Sequence, residues 1–413
     1  MKEDRTEMKL LRDNLGTIIN WANLIFLFLF SLHLFNFPDK YIMIWCAFTI
    51  VIFWIQNRSF CLDKVFWALS LAIVLNAIGT YRYLTDLNYT LKDIVKMVVP
   101  TIMVYPFMKQ AAWNKREDYI EKIILAIALG TFAYSMLNYT SFLKTGLFSI
   151  EARNWNDFWS GYAWRATHYS YWGCFIAGMS GYGIYCLSKK EWLKGFAMII
   201  FVIIENYIQI EVINRMVLCV TVVALLVSFC LYSYLNIKNK EKIRKGIVIV
   251  LGVVAVVGFM FVFDVFGISS SGYFQRFVTR DGGILGNVRF QMIYEAIKML
   301  PSHWKGGATM YAAGNFWVHN YWLQVANVSG IFPFVLWMIV NVAAVWDIIK
   351  VVRSPYISNR IKYMLLPMLA SIVAYLMMEP GGTESNRYII FYVILIALLK
   401  QLANNEHTGV TDV

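Results

Sequence analysis

The chain has 413 residues, is 59% hydrophobic and 17% aromatic, and has only 15% charged residues, which fits neither a soluble globular domain nor a disordered chain. Its net charge of +12 would suit a nucleic-acid binder if the protein were soluble. The apolar residues, however, come in runs of about twenty, enough to cross ~30 Å of hydrocarbon as helix, so the composition predicts an all-α integral membrane protein whose partner is the lipid bilayer and not nucleic acid.

In chain order, Met1 to Gly16 is a short segment of mixed charge. The run Thr17–Phe37 lacks a small-residue cleavage site and reads as an uncleaved anchor. Further runs follow at Tyr41–Gln56, Val65–Tyr81, Ile94–Ala112, Tyr119–Leu143, His168–Leu187 and Trp192–Ile210. The remainder are Ile213–Leu235, Gly246–Phe263, His319–Ile349, Ile361–Met378 and Arg387–Leu402. Twelve spans in one polytopic domain, residues 1–413, place both termini on one side. Lys238, Lys240, Lys242, Arg244 and Lys245 crowd one connecting segment, and most other basic residues fall in segments on that same side. By the positive-inside rule that side is the cytoplasm, which makes the basic balance a matter of topology. The long segment Asp264–Val318, between the ninth and tenth spans, then faces outward with its amphipathic helix. So do Lys144–Thr167, the turn holding Asn214 and Arg215, and Glu379–Arg387.

The outer stretch Gly286–Gly330 carries most of the readable chemistry. As a helix, Asn287–Leu300 has a narrow polar arc of Gln291, Glu295 and Lys298, while Arg289 falls on the apolar stripe of Ile293, Ala296 and Leu300. A guanidinium keeps its proton and is costly to bury alone, so this position calls for an anionic partner or a wet cavity. Pro301 and Gly306-Gly307 end the helix. His319 then stands at the mouth of an apolar run, where a residue type that titrates near neutral pH can serve as general base or simply cap a helix. His168 has a similar claim, His303 a weaker one, and His33 and His407 none. Arg215 follows Glu211 by four residues, so an ion pair along one continuous helix accounts for both. Two arginines at one outer site would instead suit a phosphate or diphosphate. The outer aromatics read mainly as an interfacial belt, and Glu205, inside the seventh span, as structural.

The six cysteines lie in or beside apolar runs with no zinc-type or disulfide spacing. There is no Asp-x-Asp pair, P-loop or GxSxG either, so the sequence predicts no metal and no cofactor.

Arg289, Pro301, Gly306-Gly307, His319-Asn320, Leu323 and Gly330, in this order, resemble the bacterial O-antigen ligase and O-antigen polymerase superfamily. The resemblance rests on about 45 residues, and the flanking spans match only in number and layout. The chain departs from the family's pattern at Ser329, where an acidic residue is frequent, and at Asn214, where a small residue is. The resemblance implies a GT-C-like, metal-independent, inverting glycosyltransferase in the cytoplasmic (inner) membrane, with residues 264–318 as its extracytoplasmic catalytic loop. Its donor would be an undecaprenyl-diphosphate-linked glycan and its acceptor a sugar hydroxyl of a second glycan. His319 would be the base, with Arg289 and Arg215 on the diphosphate. Asn320, Arg280, Arg165 and His168 are the further substrate contacts expected. Polymerisation of lipid-linked repeat units is the favoured activity, because nothing in the chain points to an outer membrane. Ligation to a lipid A core is the alternative, and a lipid-linked-glycan transporter is a second one.

Overall fold

Long apolar runs must satisfy their backbone groups without water, and helices are how this chain does it. The computed structural model describes residues 2–36, 39–57, 62–83, 90–112, 117–147, 153–244, 247–248, 288–308, 310, 318–379 and 387–408. The first five helices are α1 (Lys2–Ser31), α2 (Asp39–Asn57), α3 (Lys64–Tyr83), α4 (Leu91–Ala111) and α5 (Glu117–Thr145). A two-stranded antiparallel ribbon, β1 (Asn154–Asn156) with β2 (Ala163–Arg165), leads into α6 (Ala166–Ala177) and α7 (Ser180–Ser188). Then come α8 (Trp192–Glu211), α9 (Met216–Leu235), α10 (Val288–Met299) and α11 (Tyr321–Ser329). The last three are α12 (Ile331–Arg353), α13 (Asn359–Met378) and α14 (Arg387–Thr408).

Six of these helices are long and apolar enough to cross a membrane: α3, α5, α8, α9, α12 and α13. The protein is therefore an all-α, multi-pass membrane protein. Except for residues 247–248, the expected run Gly246–Phe263 lies outside the described residues, as does the segment between it and α10.

Two expected spans are not single helices. The run 168–187 divides into α6 and α7 at Gly178, where an added Cβ would meet the Met368 backbone of α13 at 2.5 Å. The run 319–349 divides at Gly330, whose φ of 89° and ψ of 179° end α11 before α12 begins. Gly306 and Gly330 are in contact: a Cβ on Gly306 would lie 2.4 Å from the Val328 carbonyl, and one on Gly330 would lie 2.4 Å from that of Trp304. Backbone bonds from Gly307 to Val328, Ala308 to Asn327 and Ile331 to Trp304 knit the two segments together. Hydropathy does not register this crossing, because both flanks are apolar and the break is set by glycine backbone geometry.

α13 is the most buried of the six long helices and α12 the least. Contacts define two ends of the bundle. At the lower end, Glu121 of α5 gathers Tyr182, Lys194 and Arg360, the Lys109 ammonium meets Asp63 at 2.5 Å, and Lys400 meets Asp347. At the upper end, Trp159 binds the Leu32 carbonyl, Asn214 binds the Ala166 carbonyl, and Tyr375 in the last turn of α13 binds that of Thr167. The ribbon, the start of α6 and the α8–α9 turn thus lie around the end of α13.

Candidate functional site

The site is assembled on the C-terminus of α13, where helix geometry leaves the last carbonyls without intrahelical partners. Three consecutive residues there receive three groups from elsewhere. The Met377 carbonyl accepts from Asn320 Nδ2 at 3.2 Å, and the Met378 carbonyl from Arg289 at 3.3 Å. Glu379, which caps the helix, places Oε1 2.7 Å from the Arg289 guanidinium and Oε2 3.5 Å from His319 Nδ1. The first distance is a charge-assisted hydrogen bond; the second is an electrostatic contact too long for a formed hydrogen bond. The Glu379 side chain is 8% exposed, and those of Arg289 and His319 are 28% exposed.

Arg289 reaches Glu379 because the apolar stripe of α10 packs inward. Ala296, with Ile293 and Leu300 beside it, closes a small core with Met310, Val318, Leu323 and Ala326. The anion that the position of Arg289 called for is Glu379. Burial acts to raise the Glu379 carboxyl, but the His319 contact and the Arg289 charge outweigh it and hold the group below the ordinary glutamate range.

His319 is positioned by the turn around it. Asn320 N donates to the Val318 carbonyl at 2.7 Å, a γ-turn centred on His319, and Val318 N donates to Gln324 Oε1 at 2.7 Å. Asn320 caps α11, its Oδ1 accepting from Leu323 N at 3.0 Å. Its amide therefore has its carbonyl and its amino group both engaged within the protein, and it is buried.

The other expected site residues are placed as follows. Arg215 begins α9 as its N-cap, at the upper end, tied there through the neighbouring Asn214. The continuous helix expected to link Glu211 and Arg215 is absent: α8 ends at Glu211, and Ile213 has a φ of 57°. Arg165 is exposed where β2 meets α6, two residues before Thr167. Arg280 and the His168 side chain lie outside the described residues. Burial lowers the His303 imidazole. His33 is buried, stacked on Tyr134 and edge-on to Trp172, which gives it a packing role. Glu205 is fully buried and accepts from Ser135 Oγ at 2.5 Å and Gln209 Nε2 at 2.8 Å.

Glu379 is the site residue that sequence reading missed. Its signal was an acidic residue directly after an apolar run, together with a buried arginine in need of an anion. Among the described residues, no three or more His, Cys, Asp or Glu side chains gather as metal ligands would.

Beside this cluster lies an apolar cavity of about 850 Å³. Its walls include Leu231 of α9, Ile293 and Ile297 of α10, Phe334 and Val352 of α12, and Val373 of α13. Asn320 and Met377 also line it, which brings it to within one residue of His319. Phe334 to Val352 spans roughly 27 Å at 1.5 Å per helical residue, close to the thickness of a bilayer's hydrocarbon core.

Fold and cluster together define a helical membrane protein with an Arg–Glu–His constellation at one end and a bilayer-deep apolar cavity under it. No protein-family model, no curated protein and no solved structure matches the chain.

Proposed function

We propose that the protein is a membrane glycosyltransferase of surface-polysaccharide assembly, which polymerises undecaprenyl-diphosphate-linked repeat units at the outer face of the cytoplasmic membrane. The observation that carries this reading is the Arg289–Glu379–His319 cluster beside the apolar cavity, a polar head site next to a long apolar chamber, which fits a long-chain lipid with a polar head. The ordered motif from Arg289 to Gly330, which resembles the O-antigen ligase and polymerase superfamily, supplies the reaction type.

In this mechanism Arg289, with Arg215 as a second cation at the same end, binds the diphosphate. The acceptor hydroxyl attacks the anomeric carbon and gives its proton to His319. The bond from that carbon to the diphosphate oxygen breaks, and its electron pair leaves with the diphosphate, where arginine offsets the developing charge. With Nδ1 turned toward Glu379, Nε2 is the nitrogen left to take the proton, and the nearby carboxylate charge stabilises the imidazolium that results. Single attack with departure of the diphosphate inverts the anomeric centre.

The sidedness belongs to the same proposal: twelve crossings with both termini cytoplasmic and the site outside. The C-terminus of α9 lies at the lower end and the N-terminus of α10 at the upper, which supports a crossing by the expected run between them. In this reading the crossing within the expected run 319–349 falls to α12, the part of it that is long and apolar enough. In a cysteine-free background, an impermeant thiol reagent applied to intact cells is expected to label a cysteine at position 305 and not one at 240; the reverse would overturn the orientation.

Purified protein given lipid-linked repeat units is expected to produce a ladder of lengthened glycans. Transfer only to a different lipid acceptor would favour the ligase reading, and the absence of any new glycosidic bond would refute both. Because arginine provides the positive charge in this mechanism, turnover is expected to survive EDTA. Loss on chelation, restored by magnesium or manganese, would refute the assignment of charge neutralisation to arginine.

A further inference from the structure

We propose that Asn320 is a positioning residue, which holds the imidazole of His319 against Glu379 by cross-linking the start of α11 to the end of α13. The inference rests on His319 being the base of the proposed transfer, and it gives Asn320 a different role from the substrate contact expected from sequence.

His319 precedes the first turn of α11 and has no helical bonds to fix it, while Glu379 follows the last turn of α13. The two side chains belong to different helices, and a sliding of either helix would change their 3.5 Å contact. Asn320 is placed to prevent that. One end of its amide caps α11 through Leu323 N, and the other donates to Met377, two residues before Glu379. Its own backbone N–H closes the γ-turn that carries His319. Arg289 makes a parallel link to the next carbonyl, that of Met378, from α10. Consecutive residues of one helix end thus fix the offsets of all three side chains. Asn320 and Met377 also line the apolar cavity, so the same cross-link lies where the cavity meets the polar cluster.

The two functions of the amide separate by substitution. Asp and Ser are as good as Asn at an N-cap, so Asn320→Asp and Asn320→Ser keep the bond to Leu323 N and the start of α11. Asp lacks the donor for the Met377 carbonyl and sets acceptor against acceptor there; Ser is too short to reach it. A base displaced by about 1 Å commonly costs about a hundredfold in rate.

The experiment measures steady-state turnover of lipid-linked repeat units by purified protein, with thermal unfolding in detergent alongside, for Asn320→Asp, Asn320→Ser and His319→Ala. The expected result is a single cooperative unfolding transition for both Asn320 variants, at a midpoint lowered by the loss of the bond to the Met377 carbonyl, with kcat reduced about ten- to a hundredfold and a KM for the lipid-linked donor within about twofold of wild type. Either folded variant with wild-type kcat overturns the proposal. So does a raised KM at unchanged kcat, which would return Asn320 to substrate binding. His319→Ala separates this failure from that of the wider reading: if it is inactive while the Asn320 variants are normal, only the positioning role falls. If His319→Ala is itself active, the base assignment falls first.

Discussion

Replacing His319 with alanine is expected to abolish glycan transfer while leaving binding of the lipid-linked donor close to wild type. The split follows from the division of labour at the site. The imidazole acts on the proton of the acceptor hydroxyl, whereas the diphosphate is held by guanidinium. General-base catalysis is typically worth about 10²–10⁴-fold, or about 3–5 kcal/mol of transition-state stabilisation. Little of that is present in the ground state, so the loss should fall on kcat. His319 packs lightly, with more than a quarter of its side chain exposed, and its removal should not unfold the protein. Donor binding can be followed with the lipid-linked substrate in nanodiscs, independently of turnover. Near-wild-type polymer from His319→Ala at normal expression would remove the base, and His168, at the start of α6, would be the histidine to test next.

How much of this site the sequence discloses depends on the range of the interaction. The inward position of Arg289 follows from 3.6-residue periodicity, and its stripe partners Ile293, Ala296 and Leu300 are the residues of α10 that pack into the small core with Met310, Val318, Leu323 and Ala326. Its counter-ion lies 90 positions away, across segments whose pairing no local pattern encodes. Gly306-Gly307 reads as a break and Gly330 as a residue inside one long span, and nothing local discloses the contact between them that detaches α11 from α12. Hydropathy merges those two helices because it sums apolar character and carries no information on φ. The ion pair suggested for Glu211 and Arg215 fails for a similar reason: spacing presumes a continuous helix, and Ile213 interrupts it. Asn320 shows the limit of residue-type reasoning, since the same amide suits a sugar contact or a helix cross-link until its partners are known.

The Arg289–Glu379 pair gives the other large effect, and it separates a structural role for the arginine from a catalytic one. Arg289→Ala leaves the buried Glu379 carboxylate facing only His319, and Glu379→Ala leaves the guanidinium without its carboxylate. Breaking a buried pair typically costs 3–5 kcal/mol; with Arg289 partly exposed, roughly 2–4 kcal/mol is the expectation here. The double variant removes both charges and should recover much of that loss, giving a coupling energy detectable in a double-mutant cycle of thermal unfolding. Turnover should behave differently. The double variant still lacks the cation for the diphosphate, so it should stay as inactive as Arg289→Ala, and Arg289→Lys, which keeps the charge but loses the planar fork, should remain impaired. Recovery of turnover together with stability would make Arg289 purely structural. The pair also predicts an acid limit. Glu379 is held below the ordinary glutamate range, so its contribution is fully present above the pKa of an unfolded glutamate and is lost as pH falls through its lowered folded value. Wild-type protein should therefore lose stability on acidification below the usual glutamate range, and Glu379→Gln, which has no proton to gain there, should show a flatter acid limb. An acid limb of equal steepness in the two proteins would mean that the carboxylate does not hold this end of the bundle together.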